Sequence, residues 1–365
     1  MNIVILCKGQ LDLFPPVMSV ASILLGLGHD VQIITSFSSK NIKEFFSDKG
    51  VDVIDVLDNF EAKNFFSKIF NWKIFSYKVW SFLKFRKKNT ILWISTADTA
   101  LALGNKLLQT SYILQILELY DTFPLYRNML ARYARKARCV VVPEMCRAAI
   151  FRSWYGLKTT PTVLPNKPYE HPGIRKLEVS DFFARKSFKS ISSNEKIVLY
   201  QGHIEIERDV RPIGKAVQSI SNGWRFAVMG PVHGNYKELL KESCPDTIFI
   251  PQVSAPLHLE VTSHAYVGVI SYSWNKLNHV FCAPNKIWEY AGFGLPMICN
   301  DLPALQIGVE AKGAGLCVNI EDQRQIELAL LNIDKNYEKY SRCSYQLYDS
   351  VDVRDIVWKI VKDFS

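Results

Sequence analysis

The residues best suited to chemistry are a lysine and a glutamate three positions apart behind a proline, in Pro284-Asn285-Lys286-Ile287-Trp288-Glu289. Pro284 fixes φ for a first helical turn, and Asn285 can cap open N–H groups there. Gly292, Gly294 and Pro296 then stop the helix after about two and a half turns. A helix N-terminus with open donors attracts anions, and Lys286 adds a full positive charge. Glu289 falls on the same face, roughly 4.5 Å further along the axis. A cation at the anion end with a carboxylate one turn deeper suits a diphosphate followed by a ribose diol. The same spacing also suits a surface Lys–Glu pair on an ordinary amphipathic helix, and spacing alone leaves both readings open.

A second pair of candidates lies in the first half. Tyr112-Ile-Leu-Gln-Ile-Leu117 reads as a buried strand that runs into Glu118-Leu-Tyr-Asp121. Carboxylates just past the carboxyl end of a parallel strand stand where open α/β sheets place their ligands. Either can orient a hydroxyl or take its proton; either can equally be a helix cap or a surface carboxylate.

The elements that would position these groups alternate strand and helix. Asn2–Cys7, Val31–Ile34, Val51–Ile54, Thr90–Ser95, Tyr112–Leu117, Cys139–Pro143 and Val163–Asn166 are short apolar runs, as expected of strands buried on both faces. Residues 167–195, rich in Pro, Ser and charge without a sustained period, read as a linker. The pattern restarts with Lys196–Tyr200, Arg225–Met229, Thr247–Ile250, Tyr266–Ile270, Met297–Cys299 and Gly315–Val318. The expected architecture is α/β, with two Rossmann-like doubly wound domains facing each other across a cleft. The first covers 1–166 and is completed by an amphipathic helix in 351–365; the second covers 196–345. The GxGxxG fingerprint is absent from the first βαβ unit, so a dinucleotide need not bind there.

Two domains also suit a chain of 365 residues that is 48% hydrophobic and 22% charged. Eight cysteines without CxxC or zinc spacing point to a reducing cytoplasm and to no metal site. No signal peptide is recognisable at Met1, and no run approaches 18 apolar residues, so no membrane span is expected. The net charge of +9 is unevenly placed. Residues 1–165 hold 21 Lys and Arg against 12 Asp and Glu, whereas 166–365 hold 23 of each. Within 62–90, nine aromatics (Phe65, Phe66, Phe70, Trp72, Phe75, Tyr77, Trp80, Phe82, Phe85) are interleaved with Lys63, Lys68, Lys73, Lys78, Lys84, Arg86, Lys87 and Lys88. That mixture suits the interface of an anionic bilayer, the alternative being a half-buried helix with snorkelling lysines. Aromatic-plus-basic composition also suits nucleic acid. No single-strand-binding pattern accompanies it, so no nucleic-acid partner is expected.

The order of motifs resembles the GT-B glycosyltransferases, in particular the large family 4 (group 1). The likeness runs from Val140-Val-Val-Pro-Glu144 through Leu164-Pro-Asn166 and is densest from Val198 to Val318. Pro284-Asn-Lys-Ile-Trp-Glu-Tyr-Ala-Gly-Phe-Gly-Leu-Pro296 is similar to the family's donor-site helix. With the cysteine usage and the basic aromatic stretch, the expected protein is a cytoplasmic enzyme, peripheral on the inner face of the cell membrane. By the resemblance it would move a sugar from a nucleotide-diphosphate sugar to a lipid-linked or surface-glycan acceptor, with retention of configuration and without a metal or other cofactor. Glu289 would hold the donor ribose, Asn285 and Lys286 would lie near the diphosphate, and Val253 would border the base. Gly202, His203 and Arg208 fall where the family has Gly-Arg and, five residues on, a Lys, so these basic groups would steady the leaving diphosphate. Arg208 replaces the lysine and His203 the arginine; Phe281 stands where many relatives carry a further glutamate, which leaves the sugar undefined. Glu118 and Asp121 would serve the acceptor. Two other readings share the fold: a sugar-nucleotide epimerase, and a non-catalytic partner subunit.

Overall fold

The computed structural model describes residues 1–57, 65–85, 89–188, 194–220 and 223–364, without the side chains of 65–69. Lys63, Arg86, Lys87 and Lys88, and the side chains of Phe65, Phe66 and Lys68, therefore lie outside what is described. The chain divides into two compact units, one of Met1–Tyr169 with Asp352–Ser365 and one of Glu170–Val351.

The first unit is built on seven parallel strands: β1 (Asn2–Gln10), β2 (Asp30–Phe37), β3 (Asp52–Asp55), β4 (Ile91–Ser95), β5 (Tyr112–Gln115), β6 (Cys139–Val142) and β7 (Thr162–Val163). Their order is β3-β2-β1-β4-β5-β6-β7. The chain thus winds one way from β1 and then the other, which puts the switch point, where open α/β sheets place ligands, between β1 and β4. Ile3, Val4, Ile5 and Leu6 are fully buried because helices cover both faces of the sheet. The helix Val353–Lys362 completes this unit against the helix Pro15–Gly26, where the Arg354 guanidinium donates to the Gly26 carbonyl at 2.9 Å.

The helix Phe65–Leu83 spans much of the aromatic and basic stretch. It buries Phe75 and Val79, and its Trp80 indole N–H donates to the Leu103 carbonyl at 3.1 Å. Phe70, Lys73 and Tyr77 are exposed on one outward stripe, and Lys84 and Phe85 continue the exposure beyond the helix end. Lys78 is only half-exposed, so the lysines are not equivalent.

The second unit has six parallel strands: β8 (Lys196–Gln201), β9 (Trp224–Met229), β10 (Ile248–Ile250), β11 (Val267–Ile270), β12 (Met297–Asn300) and β13 (Gly315–Val318). The order β10-β9-β8-β11-β12-β13 puts its switch point between β8 and β11. Two stretches depart from the sequence reading. Residues 170–188, expected within a linker, pack on this unit. The helix Phe182–Phe188 buries Ala184, and the Arg175 guanidinium donates to the Ser263 carbonyl at 3.0 Å. A helix at Tyr337–Asp349 was not expected at all. Its inward residues, Tyr340, Ser344 and Leu347, are too mixed in polarity to give an apolar period, and the Ser344 hydroxyl is satisfied by the Leu295 carbonyl at 2.9 Å.

Candidate active site

The second sheet's switch point gathers most of the residues singled out in that half. Gln201 ends β8 and Gly202 follows it; Tyr272 lies just past β11; Lys286 and Glu289 come from the helix Asn285–Ala291, which precedes β12. Pro284 occupies the N-cap of that helix with extended backbone, so Asn285 is its first residue and makes no side-chain cap. The expected capping role of Asn285 is thus taken by no side chain, because the proline ends the loop one position earlier than the motif suggests. The helix is also shorter than expected. Gly294 turns the chain with φ 63°, where a Cβ would stand 2.1 Å from the Tyr345 ring.

Glu289 is 7% exposed and held on both oxygens. The Gln201 side-chain amide donates to Oε2, and His258 Nε2 lies 3.1 Å from Oε1. Gln201 is oriented in turn by the Thr262 hydroxyl, which donates to its Oε1 at 2.8 Å. Burial alone would raise the Glu289 pKa; the ion pair and hydrogen bond from His258, with the charge of Lys286, outweigh it and hold the carboxyl below its ordinary value. The group is an ionised, fixed carboxylate that keeps further lone pairs for a ligand hydroxyl.

Lys286 is 7% exposed, and its Nζ has no hydrogen-bond partner. It lies over the rings of Tyr200 and Tyr272, at 4.8 and 5.3 Å from their centroids. Burial, reinforced by the charge of Arg208, pushes its pKa down to about 7. The Arg208 guanidinium stacks over Tyr272 at 4.8 Å, and its Nε is 3.6 Å from Glu205 Oε1. Both cations converge on Gly202, whose φ is 135°. A Cβ there would stand 3.4 Å from Lys286 Nζ and 3.9 Å from an Arg208 nitrogen. Gly230, φ 142°, approaches the same turn so closely that a Cβ would meet the Gly202 carbonyl oxygen at 2.1 Å. Two basic groups, one of them buried and unpartnered, and a glycine-lined wall make a cradle for an anion.

His203 also stands at this turn, exposed, with its ring nitrogen on His233. Val253 follows β10 and packs on the core of the second unit. Among the described residues no group of three or more His, Cys, Asp or Glu could hold a metal ion, and no helix is long and apolar enough to cross a membrane.

The first unit holds Glu118 and Asp121 past the end of β5. Glu118 is 54% exposed and lies 3.6 Å from the buried Arg147 guanidinium, which also donates to the Leu117 carbonyl. Asp121 is half-buried in the turn after Tyr120, a residue with φ 57°. One group absent from the sequence reading stands nearby: Asp98, which accepts from the Tyr126 hydroxyl. In the second unit the unforeseen residues are Gln201, His258 and Thr262, which position Glu289, and Tyr200 and Tyr272, which flank Lys286. No spacing in the chain relates them; only the strand order brings them together.

The chain matches no protein-family model, and no curated protein matches it in sequence. Solved structures resemble it throughout. A sucrose-phosphate synthase from Thermosynechococcus elongatus is 15% identical with a TM-score of 0.72, over 100% of this chain and 98% of that one. Anabaena HepE, solved with UDP and glucose, is 10% identical with a TM-score of 0.76, over 100% and 99%. WaaG, a glycosyltransferase involved in lipopolysaccharide biosynthesis, is 14% identical with a TM-score of 0.64, over 99% of each. At these identities the likeness establishes architecture, and the architecture is that of the GT-B glycosyltransferases, two parallel-sheet Rossmann-like domains in one chain.

Proposed function

We propose that this protein is a glycosyltransferase that takes its sugar from a nucleoside-diphosphate sugar bound at the carboxyl edge of the second sheet. The observation that carries the reading is Lys286, a buried ammonium with no hydrogen-bond partner, set beside Arg208 and against a glycine turn. A cation so placed calls for an anion, and a diphosphate reaches both side chains at once. The charge of Arg208 persists at every physiological pH, and its planar fork suits two phosphate oxygens. It would stabilise the negative charge that builds on the leaving diphosphate. Glu289, already ionised and aimed by Gln201 and His258, would accept from the ribose hydroxyls. HepE, solved with UDP and glucose, offers a related fold that holds such a ligand.

The finer reading concerns the acceptor. We assign it to a lipid-linked or surface glycan, with retention of configuration at the transferred sugar, and the first unit to the anionic inner leaflet. Its support is the excess basic charge of residues 1–165, the outward stripe of Phe70, Lys73 and Tyr77, and the WaaG-like fold. Glu118, Asp121 or both would orient or deprotonate the acceptor hydroxyl.

The test is a thermal-shift screen of sugar nucleotides on the intact protein, followed by turnover with the best ligand. Arg208→Ala is expected to keep its fold and lose turnover by about 10²- to 10³-fold, the usual cost of a transition-state charge contact. Wild-type indifference to every sugar nucleotide, or near-normal turnover in Arg208→Ala, would remove the assignment.

A further inference from the structure

Two imidazoles meet at the rim of the anion cradle. His203 lies in the loop after β8 and His233 in the loop after β9. Nδ1 of His203 and Nε2 of His233 are 2.8 Å apart, and the rings stack with centroids 5.0 Å apart and planes inclined by 25°. The backbone fixes both. Ile204 and Val232 form a parallel bridge, the Ile204 N–H donates to Pro231 O at 2.9 Å, and the His233 N–H donates to Ile204 O at 3.0 Å. The tight approach of Gly230 to Gly202 sets the spacing of the two loops. Both residues reach solvent, with the His203 ring partly covered by its loop, so packing in an apolar core does not force them together.

Two ring nitrogens at this distance share one hydrogen bond, one side carrying the proton and the other the lone pair. One further proton can go to the outward nitrogen of the ring that donates, turning it into an imidazolium that keeps the shared hydrogen bond; only a second would set two N–H groups against each other. The charged and titratable groups facing His203 are Arg208 and Glu205 on its own loop, His233 from the loop after β9, and Lys286 from the helix Asn285–Ala291. Burial, then the charge of Arg208, holds the His203 ring below its ordinary pKa despite Glu205, so the free protein keeps it neutral near pH 7. A diphosphate between Arg208 and Lys286 reverses that field.

We propose that His203 and His233 act as one proton-accepting unit of the diphosphate site, taking up a single proton from solvent when the anion binds. His203 would touch the diphosphate; His233 is a positioning residue, acting through its hold on the His203 ring. The inference rests on the nucleotide-sugar reading of the cradle and adds to it a binding step that strengthens as pH falls.

The test is calorimetric titration of wild type, His203→Asn and His233→Asn with UDP-glucose, at about pH 6, 7 and 8, in two buffers of different ionisation heat. UDP-glucose has no group that titrates in this range. Lys286, with its pKa at about 7, takes up part of a proton in every form. Wild type is expected to take up close to one proton more than either variant and to tighten with falling pH by up to about a further tenfold per unit. Both variants, with unchanged melting temperatures, should keep only the Lys286 share. Equal pH slopes in wild type and both variants would assign the uptake to Lys286 and overturn the pair. Inorganic pyrophosphate is titrated in parallel, its own ionisation cancelling between wild type and variants. If it binds with the pair-dependent slope while no sugar nucleotide binds, the pair stands and the nucleotide reading falls. If neither ligand binds wild type, both fall.

Discussion

Both sheets reverse their winding once, β1 against β4 in the first unit and β8 against β11 in the second, yet the two carboxyl edges are furnished differently. The second buries a carboxylate and an ammonium within one helix, gives the carboxylate two donors, and leaves the ammonium without a hydrogen bond. The carboxylates singled out in the first unit lie one strand away from its switch point, past β5, and Glu118 is more than half exposed. The first unit's aromatic and basic residues are instead spent on the outward stripe of the helix Phe65–Leu83. A buried charge must be compensated by something, so its environment limits what can bind. An exposed charge is compensated by water and constrains nothing. That is why the second edge narrows its ligand to an anion, the basis of the diphosphate proposal, while the first narrows nothing beyond a class of surface.

The contrast can be broken most forcefully at Glu289. Replacing it with alanine would leave Gln201 and His258 without their shared acceptor and Lys286 without a counter-charge, at a cost of about 3–5 kcal/mol. The expected result is a large fall in the denaturant midpoint together with loss of any nucleotide-induced shift. Glu289→Gln, which keeps the shape, should recover much of the stability and little of the affinity.

Lys286→Met should act in opposite directions on stability and binding. It replaces a poorly solvated cation with an apolar chain, so the protein should gain about 1–4 kcal/mol near pH 7 while the nucleotide shift disappears. The pH dependence follows from the sign of the shift. The folded-state pKa of about 7 lies below the ordinary 10.5, so between those values the unfolded chain binds the extra proton. Wild-type stability should therefore rise from pH 7 towards 10 through this residue, and Lys286→Met should flatten that rise in chemical melts.

Gly230→Ala places a Cβ against the Gly202 carbonyl at a φ that disfavours side chains. It should cost about 1–3 kcal/mol, and it should reduce nucleotide affinity beyond what that loss explains, because the turn that the cations face would move. The gentlest test is on the first unit. Lys73→Glu with Lys84→Glu should weaken partition onto anionic vesicles by about 1 kcal/mol for each basic charge removed, and more than that once the repulsion is added, with little effect on neutral ones. Equal binding to both vesicle types in wild type, insensitive to salt, would end the membrane assignment.

Much of this was legible in the chain. The inner strands are short apolar runs bounded by polar or turn residues, since a parallel sheet covered on both faces leaves no room for alternation; the edge strand β3, Asp-Val-Ile-Asp, is the less buried exception. Lys286 and Glu289 could be read from spacing because one helix carries both. His258 and Gln201 could not, being separated from Glu289 by 31 and 88 positions and joined only by the order of strands. The helix Tyr337–Asp349 was hidden because its inward face carries Ser344, whose hydroxyl bonds backbone carbonyls where a methyl group would otherwise mark the core. Asn285 was misplaced by one position for a local reason, since Pro284 itself makes the extended N-cap.

The return of Val353–Lys362 to the helix Pro15–Gly26 has a consequence for synthesis. The first unit cannot seal its core until the whole of Glu170–Val351 has been translated, whereas that second unit is one uninterrupted stretch. On the ribosome the half made first therefore finishes last. Val357, Ile360 and Val361, all buried in the finished protein, are the residues on which its completion waits.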